Sequence, residues 1–156
     1  MDLSGSLLKI KRGILLFWAL WFALVLLTNL MDALKALSYL PETWSLASGN
    51  WGFMKQVTAI YGTPVGIVAV MFLGVMVWEG TAAFLFWRAF DAFPGEKGAG
   101  LTAVNQAFTV GLAFWATFML ADEFFIAYEL EGTHRSYAIA QLVSFLGFYL
   151  LPDKEP

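Results

Sequence analysis

Four long apolar stretches constrain the fold of this chain more than any other feature of its sequence. The first contains nineteen residues without a charge, and the second is interrupted only by Glu79. A helix needs about 20 predominantly apolar residues to cross the ~30 Å hydrocarbon core of a bilayer. The pattern therefore predicts four membrane-spanning helices with approximate bounds of 13–31, 64–87, 106–128 and 134–151.

The composition supports a protein that exposes apolar surface to lipid. Apolar residues make up 60% of the chain and charged residues 13%, against about 45–50% and 25% in soluble domains. In lipid every backbone polar group must be bonded internally, which helices achieve within one segment. We expect a single all-α domain, an integral membrane four-helix bundle in up-down order, in contact with the lipid bilayer.

Lysine and arginine are divided unevenly between the two sides of this predicted bundle. One side holds six of them: Lys9, Lys11, Arg12, Arg88, Lys97 and Lys154. The other side holds three: Lys35, Lys55 and Arg135. Because cytoplasmic loops are enriched in these residues, we predict a multi-pass protein with both termini in the cytoplasm.

The first outer loop, from about Asp32 to Gly62, is the longest connection. We predict short interfacial helices at Ala33–Leu40, which Pro41 ends, and at Asn50–Tyr61. The loop Asp91–Gly100, with one proline and three glycines, is predicted to be a turn.

Glu79 is the acidic residue predicted to lie deepest in the membrane. It precedes Arg88 by nine residues, which is about 13 Å of helix and close to the bilayer midplane. A charge at this depth costs on the order of a few kcal/mol or more, so a charged residue there is expected to have a structural or functional role. Glu79 is either a proton-carrying or ligand-binding carboxylate, or a protonated side chain hydrogen-bonded to a neighbouring helix.

Other polar residues are predicted to meet near the outer surface. Asn29 and Asp32 share one helix face at the end of the first span, and Arg135 is the expected counter-ion of Asp32 or Glu123. We name the predicted group the outer polar cluster: Asn29, Asp32, Asn50, Gln56, Glu123 and Arg135. It is either a structural clamp or a ligand site, and it is predicted to lie well outward of Glu79.

Several function classes are disfavoured by the residues present. The chain has no cysteine, one histidine and a net charge of −3, so thiolate chemistry and a basic face for nucleic acid are excluded. The spacing Glu131-x-x-His134 occurs once, in a predicted loop, whereas di-iron bundles use it twice. We predict no metal, no cofactor and no catalytic residue.

Four motifs follow one another along the chain: Asn29-Leu-Met-Asp32, Asn50-Trp-Gly-Phe53-Met-Lys-Gln56-Val57, Trp78-Glu79-Gly80 and Asp122-Glu123-Phe124-Phe125. They resemble motifs of a bacterial family of predicted small integral membrane proteins, a four-span domain of unknown function. The family has a histidine at the position of Gln56, a departure that weakens any metal or proton role there. The resemblance implies the four-span fold and the bacterial cytoplasmic (inner) membrane, and it supplies no activity.

Three functions fit these observations. The favoured one is a non-catalytic accessory or assembly subunit of a larger membrane complex, with protein partners or further copies of itself. The second is a small proton-coupled transporter or channel that uses Glu79. The third is a membrane binder or enzyme for a hydrophobic small molecule, such as a lipid or quinone, at the outer polar cluster.

Overall fold

The computed structural model describes residues 3–94 and 98–151. Within these ranges the chain is all-helical and has no strand, which confirms the predicted class. A single 3₁₀ turn, Ala59–Tyr61, follows the second helix. The α-helices are α1 (Leu3–Ala36), α2 (Asn50–Thr58), α3 (Val65–Ala92), α4 (Ala99–Phe124) and α5 (Tyr128–Leu150).

Three helices in the described ranges are long and apolar enough to cross a membrane. They are α3, α4 and the Gly5–Ala36 part of α1, which identifies the chain as a membrane protein. The predicted fourth span corresponds to α5, which is not among these three. Glu131, His134 and Arg135 lie in its first half and lower its hydropathy.

The long helices pack against one another in chain order. α1 lies along α3, α3 along α4 and α4 along α5, and α5 also contacts α1. The last contact is antiparallel, because Lys11 of α1 contacts the end of α5 whereas Trp21 contacts Tyr137, earlier in that helix. Lipid tails are as apolar as the side chains, so such helices are held together mainly by close packing and hydrogen bonds.

Aromatic rings fill much of the core. The ring of Phe22 stacks on Phe86 at a centroid distance of 6.0 Å and meets Phe114 edge-on at 5.6 Å. Phe108 packs edge-on against Phe86 at 5.0 Å and against Phe148 at 5.7 Å. These contacts join α1, α3, α4 and α5, and each such ring pair contributes about 0.5–1.5 kcal/mol beyond its buried area.

Gly111 allows α4 and α5 to approach closely. A Cβ atom on this residue would lie 2.5 Å from Nε2 of Gln141. The side chain of Gln141 is fully buried. A glycine at this position therefore accommodates the glutamine amide against the α4 backbone.

Lys11 closes one end of the helix assembly. Its side chain is buried, and Nζ donates to the carbonyls of Phe148 at 2.9 Å and Leu151 at 2.7 Å. The last carbonyls of a helix have no partner within it, so a lysine at this point satisfies them. The sequence indicates only a topogenic charge at Lys11, and this role was not predicted. We call this region the Lys11 end.

The structure corrects the boundary between the third and fourth predicted spans. α4 ends at Phe124 rather than Tyr128, and the chain reverses at Ile126, whose φ of 57° is left-handed. The motif Glu131-x-x-His134 therefore lies within α5 and not in a loop. The turn escaped prediction because its residues, Phe125 to Ala127, are as apolar as the helix before them.

The predictions for the connections had mixed outcomes. The helix expected at Asn50–Tyr61 is confirmed as α2 and its 3₁₀ turn. The separate helix expected at Ala33–Leu40 is wrong, because α1 continues to Ala36 and a turn follows, in which Ser38 has a φ of 61°. Residues 95–97 of the predicted Asp91–Gly100 turn lie outside the described residues, as do the two topogenic lysines Lys97 and Lys154.

Candidate functional site

A chain of side-chain hydrogen bonds links α2, α1 and α3. Nδ2 of Asn50 donates to Oδ1 of Asn29 at 2.8 Å. Nδ2 of Asn29 in turn donates to Oε1 of Glu79 at 2.7 Å. Asn29 and Glu79 are both 1% exposed, so the bond between them lies in a medium of low dielectric where it is strong. We call this set the Asn50–Asn29–Glu79 chain.

Asp32 holds the segment before α2 against α1. Its Oδ2 accepts the backbone N–H of Trp51 at 2.7 Å and the hydroxyl of Ser48 at 3.3 Å. The first N–H groups of a helix have no partner within it. Gly49, at the N-cap position of α2, has no side chain that could accept a hydrogen bond from them. A carboxylate from another helix therefore caps α2, and it also suits the positive end of the helix dipole.

Asp122 and His134 join α4 to α5 beside this region. Oδ2 of Asp122 lies 2.6 Å from Nδ1 of His134, and Asp122 is 3% exposed. The imidazole packs against the rings of Phe118 at 4.8 Å and Trp115 at 6.4 Å. The pair thus ties the polar turn of α5 to the aromatic face of α4.

A cavity of about 650 Å³ lies among these groups. Eight aromatic side chains line it: Trp21, Phe53, Phe72, Phe114, Trp115, Phe118, Phe125 and Tyr137. Its polar lining residues are Asn29, Ser48, Asn50, Thr58, Glu79, Asp122, Thr133 and His134. Small-molecule sites measure about 300–1,000 Å³ and combine apolar walls with a few polar groups, so this cavity has their size and character.

The mouth of the cavity lies where α2 and α5 begin. Ser48, Gly49, Asn50 and Thr133 line it and are exposed. Glu79 lies halfway along α3 and is the deepest polar group of the lining. We call this half of the molecule the α2 end.

Some polar atoms around the cavity are buried without a hydrogen-bond partner among the described residues. They are Oε2 of Glu79 and the indole Nε1 atoms of Trp21 and Trp115, all from side chains of the lining. More than 90% of buried polar groups in proteins have a partner, so each exception needs an explanation such as a ligand or water. Glu79 is the most demanding case because it is a carboxyl group.

The predicted outer polar cluster is only partly assembled. Asn29, Asp32 and Asn50 meet as described, whereas Gln56, Glu123 and Arg135 are exposed. The predicted ion pair of Arg135 with Asp32 or Glu123 is replaced by one with Glu131, at 3.0 Å along the same helix. Gln56 lines a second, shallow groove together with Tyr128 and Glu129.

The predicted separation of Glu79 from Asn29, a member of the outer polar cluster, is wrong. Asn29 was placed at the outer end of its helix, but α1 continues seven residues further, to Ala36, or about 10 Å. Asn29 therefore lies deep enough to reach Glu79.

Asp122 was missed as a site residue, although a signal for it was present in the sequence. It follows Trp115 by seven residues and Phe118 by four, so it shares their helix face. Glu123 lies about 100° away around α4.

No group of three or more histidine, aspartate or glutamate side chains that could hold a metal ion occurs in residues 3–94 and 98–151. No family model, curated protein or solved structure matches this chain. The resemblance to the family of small integral membrane proteins therefore stays a prediction that rests on the four motifs.

Proposed function

We propose that this protein binds a small amphiphilic molecule within the membrane, with the apolar body between the aromatic walls and the head group at Glu79. One observation carries the proposal: a carboxyl oxygen of Glu79 is buried without a partner in a side chain that lines a cavity of about 650 Å³. This develops the third function considered from the sequence and moves its site inward, from the outer polar cluster to Glu79.

The alternative of an unoccupied packing defect fits the cavity poorly. Protein interiors are close-packed, and empty cavities are apolar. This cavity contains two acidic side chains and a histidine, and it opens among exposed residues at its mouth. Such a site holds water or a ligand, and its aromatic walls favour a ligand with a substantial apolar part.

The Asn50–Asn29–Glu79 chain connects the head-group site with the mouth. Asn50 lines the mouth and begins α2, and Asn29 relays its hydrogen bond to Glu79. Glu79 accepts the last hydrogen bond of the Asn50–Asn29–Glu79 chain, so a head group that binds to Glu79 would alter that acceptor. Ligand binding is therefore expected to alter how firmly α2 is held.

The test is to purify the protein in a mild detergent and identify small molecules that remain bound, by mass spectrometry of the intact particle. We expect a stoichiometric amphiphile in the wild type and its loss in Val75→Phe, because Val75 lines the cavity one helical turn before Glu79. Val77→Phe is the matched control, since Val77 is 61% exposed on another face of α3. Equal ligand content in wild type and Val75→Phe would contradict the proposal, as would an empty wild type that also binds no added amphiphile.

We also propose that α5 is the fourth crossing of an up-down four-helix bundle, with both termini in the cytoplasm and the chain in the inner membrane. Its 23 residues extend about 34 Å, and Lys11 brings its end beside the start of α1. Because the chain has no cysteine, single introduced cysteines can be labelled from either side. Cysteines near positions 6 and 130 are expected to react from opposite sides.

The accessory-subunit and transport functions stay predictions. The native mass of the solubilised protein, with identification of every component, separates them from the ligand-binding function. A reproducible particle with defined other subunits would favour the accessory role. A transport role predicts that Glu79→Gln abolishes flux and leaves assembly intact.

A further inference from the structure

The lining of the cavity carries two acidic groups, Glu79 and Asp122, and only Asp122 has a basic side chain beside it. Glu79 and Asp122 both line it, and among the lining residues within the described ranges none is lysine or arginine. His134 is the one lining side chain that can become cationic, and its Nδ1 already faces Asp122 at 2.6 Å. Glu79 accepts its hydrogen bond from the neutral amide of Asn29. None of the lining side chains therefore pairs with Glu79 as a cation.

The charge pattern discriminates between classes of amphiphile. A head group whose only charge is negative, such as a carboxylate, would bring a third acidic group beside Glu79 and Asp122, and like charges in a medium of low dielectric repel strongly. A head group with positive charge would pair with Glu79 and donate to its unpartnered oxygen, and charge-assisted hydrogen bonds of this type are the stronger ones.

The aromatic side chains that line the cavity also favour an amphiphile with a cationic head group. Phe72 precedes Glu79 by seven residues on α3, so the two share a helix face. Phe114 and Trp115 approach from α4, where their rings are 4.9 Å apart. Cations are attracted to aromatic ring faces, and aromatic cages are a recurrent means of binding ammonium groups.

We infer that the ligand is an amphiphilic ammonium compound, whose cationic head pairs with Glu79 and whose apolar chain lies between the aromatic walls. This inference rests on the proposed function and names its ligand class. The ammonium group could belong to a free alkylamine or to an ethanolamine lipid head group, and the experiment distinguishes these sources.

The experiment compares three probes that share one chain and differ in head group: n-octylammonium, n-octanol and n-octanoate. Each is titrated into the purified full-length protein by calorimetry, and detergent without protein gives the blank. The variants are Glu79→Gln, which keeps the shape of the side chain, and Glu123→Gln, a matched change on exposed α4 surface. Val75→Phe places a larger side chain in the cavity. Binding that this variant loses is therefore binding in the cavity.

We expect octylammonium to bind roughly tenfold more tightly than octanol, because both can donate a hydrogen bond to Glu79 and only octylammonium adds an opposite charge, and octanoate to bind most weakly. Glu79→Gln should remove the advantage of octylammonium, and Glu123→Gln should keep it. The ranking of the probes on the wild type tests the charge even if Glu79→Gln fails to fold.

Two failures are distinguishable. If octanol or octanoate binds at least as tightly as octylammonium, and Val75→Phe abolishes that binding, the ammonium assignment is overturned while the proposed function stands. If no probe binds in a way that Val75→Phe removes, the proposed function is overturned together with the inference.

The source of the ammonium group is assigned by repeating the titration in bilayer discs. Competition by phosphatidylethanolamine, measured against discs of phosphatidylglycerol alone, supports a lipid head group. Octylammonium binding that is equal in both discs supports a free amine.

Discussion

The two ends of this molecule, the Lys11 end and the α2 end, are built from the same long helices but are packed in different ways. At the Lys11 end, the rings of Phe86, Phe108 and Phe148 interlock, and the buried lysine satisfies the final carbonyls of α5. At the α2 end, the helices surround a cavity of about 650 Å³ and are joined by polar side chains. This difference is the one expected if the Lys11 end serves stability and the α2 end holds the proposed ligand.

The same contrast appears in how each end uses hydrogen bonds. Lys11 donates to backbone carbonyls that any helix end presents. The α2 end instead relies on matched side chains, Asn50 to Asn29 to Glu79 and Asp122 to His134. Matched pairs depend on the identity of both partners, so substitutions there should show strong coupling.

The largest effect is expected from breaking the aromatic core with Phe22→Ala. The ring contacts Phe86, Phe114 and Trp115, and its loss should lower the free energy of unfolding by about 3 kcal/mol. This is the lower end of the range for a buried phenylalanine, because the separated helices remain in apolar lipid. Unfolding in mixed micelles with increasing SDS measures it.

Phe17→Ala is the matched control for that change. Phe17 lies on the same helix and is 52% exposed, so its removal should leave stability nearly unchanged. Equal losses for the two variants would show that Phe22 does not hold the helices together.

Asn29→Ala should have the next largest effect. It leaves the amide of Asn50 and Oε1 of Glu79 without their partners, and an orphaned buried polar group costs about 1–3 kcal/mol. We expect a loss of about 2 kcal/mol in the same assay. Adding Glu79→Leu should recover part of it, because an apolar pair needs no hydrogen bond; a simple sum of the two losses would count against the Asn50–Asn29–Glu79 chain.

Asp32→Ala should act mainly on α2. It removes the acceptor of the Trp51 N–H, and the loss of a capping side chain costs typically about 1 kcal/mol. Hydrogen exchange is expected to become faster in α2 and to stay unchanged in α3 and α4. Uniformly faster exchange along the chain would mean that Asp32 supports the whole fold.

The smallest effect is expected from Arg135→Gln. Its partner Glu131 lies one turn away on the exposed part of α5, and such pairs contribute about 0.2–0.5 kcal/mol. Stability and octylammonium binding should both stay close to wild type. A loss above about 1 kcal/mol would revive the role of Arg135 as counter-ion of Asp32 or Glu123.

Hydropathy and motif spacing predicted the long helices and α2 because these depend on local composition. The turn at Ile126 was not predictable in the same way, since its apolar residues look like helix. Asn29, Asp32, Asn50 and Glu79 of the candidate site stand out in the sequence as polar residues of apolar segments or their ends, but the link between Asn29 and Glu79 depends on where α1 ends. The cavity depends on how side chains from several helices meet, and no local pattern encodes that.

The bonds of Lys11 have a consequence for biosynthesis. Lys11 precedes Phe148 and Leu151, whose carbonyls accept its hydrogen bonds, by 137 and 140 residues. These two bonds cannot form until the end of α5 has been synthesised. The α2 end can assemble its contacts between α1, α2 and α3 while the ribosome is still at work, whereas the Lys11 end is completed only after α5 has been inserted.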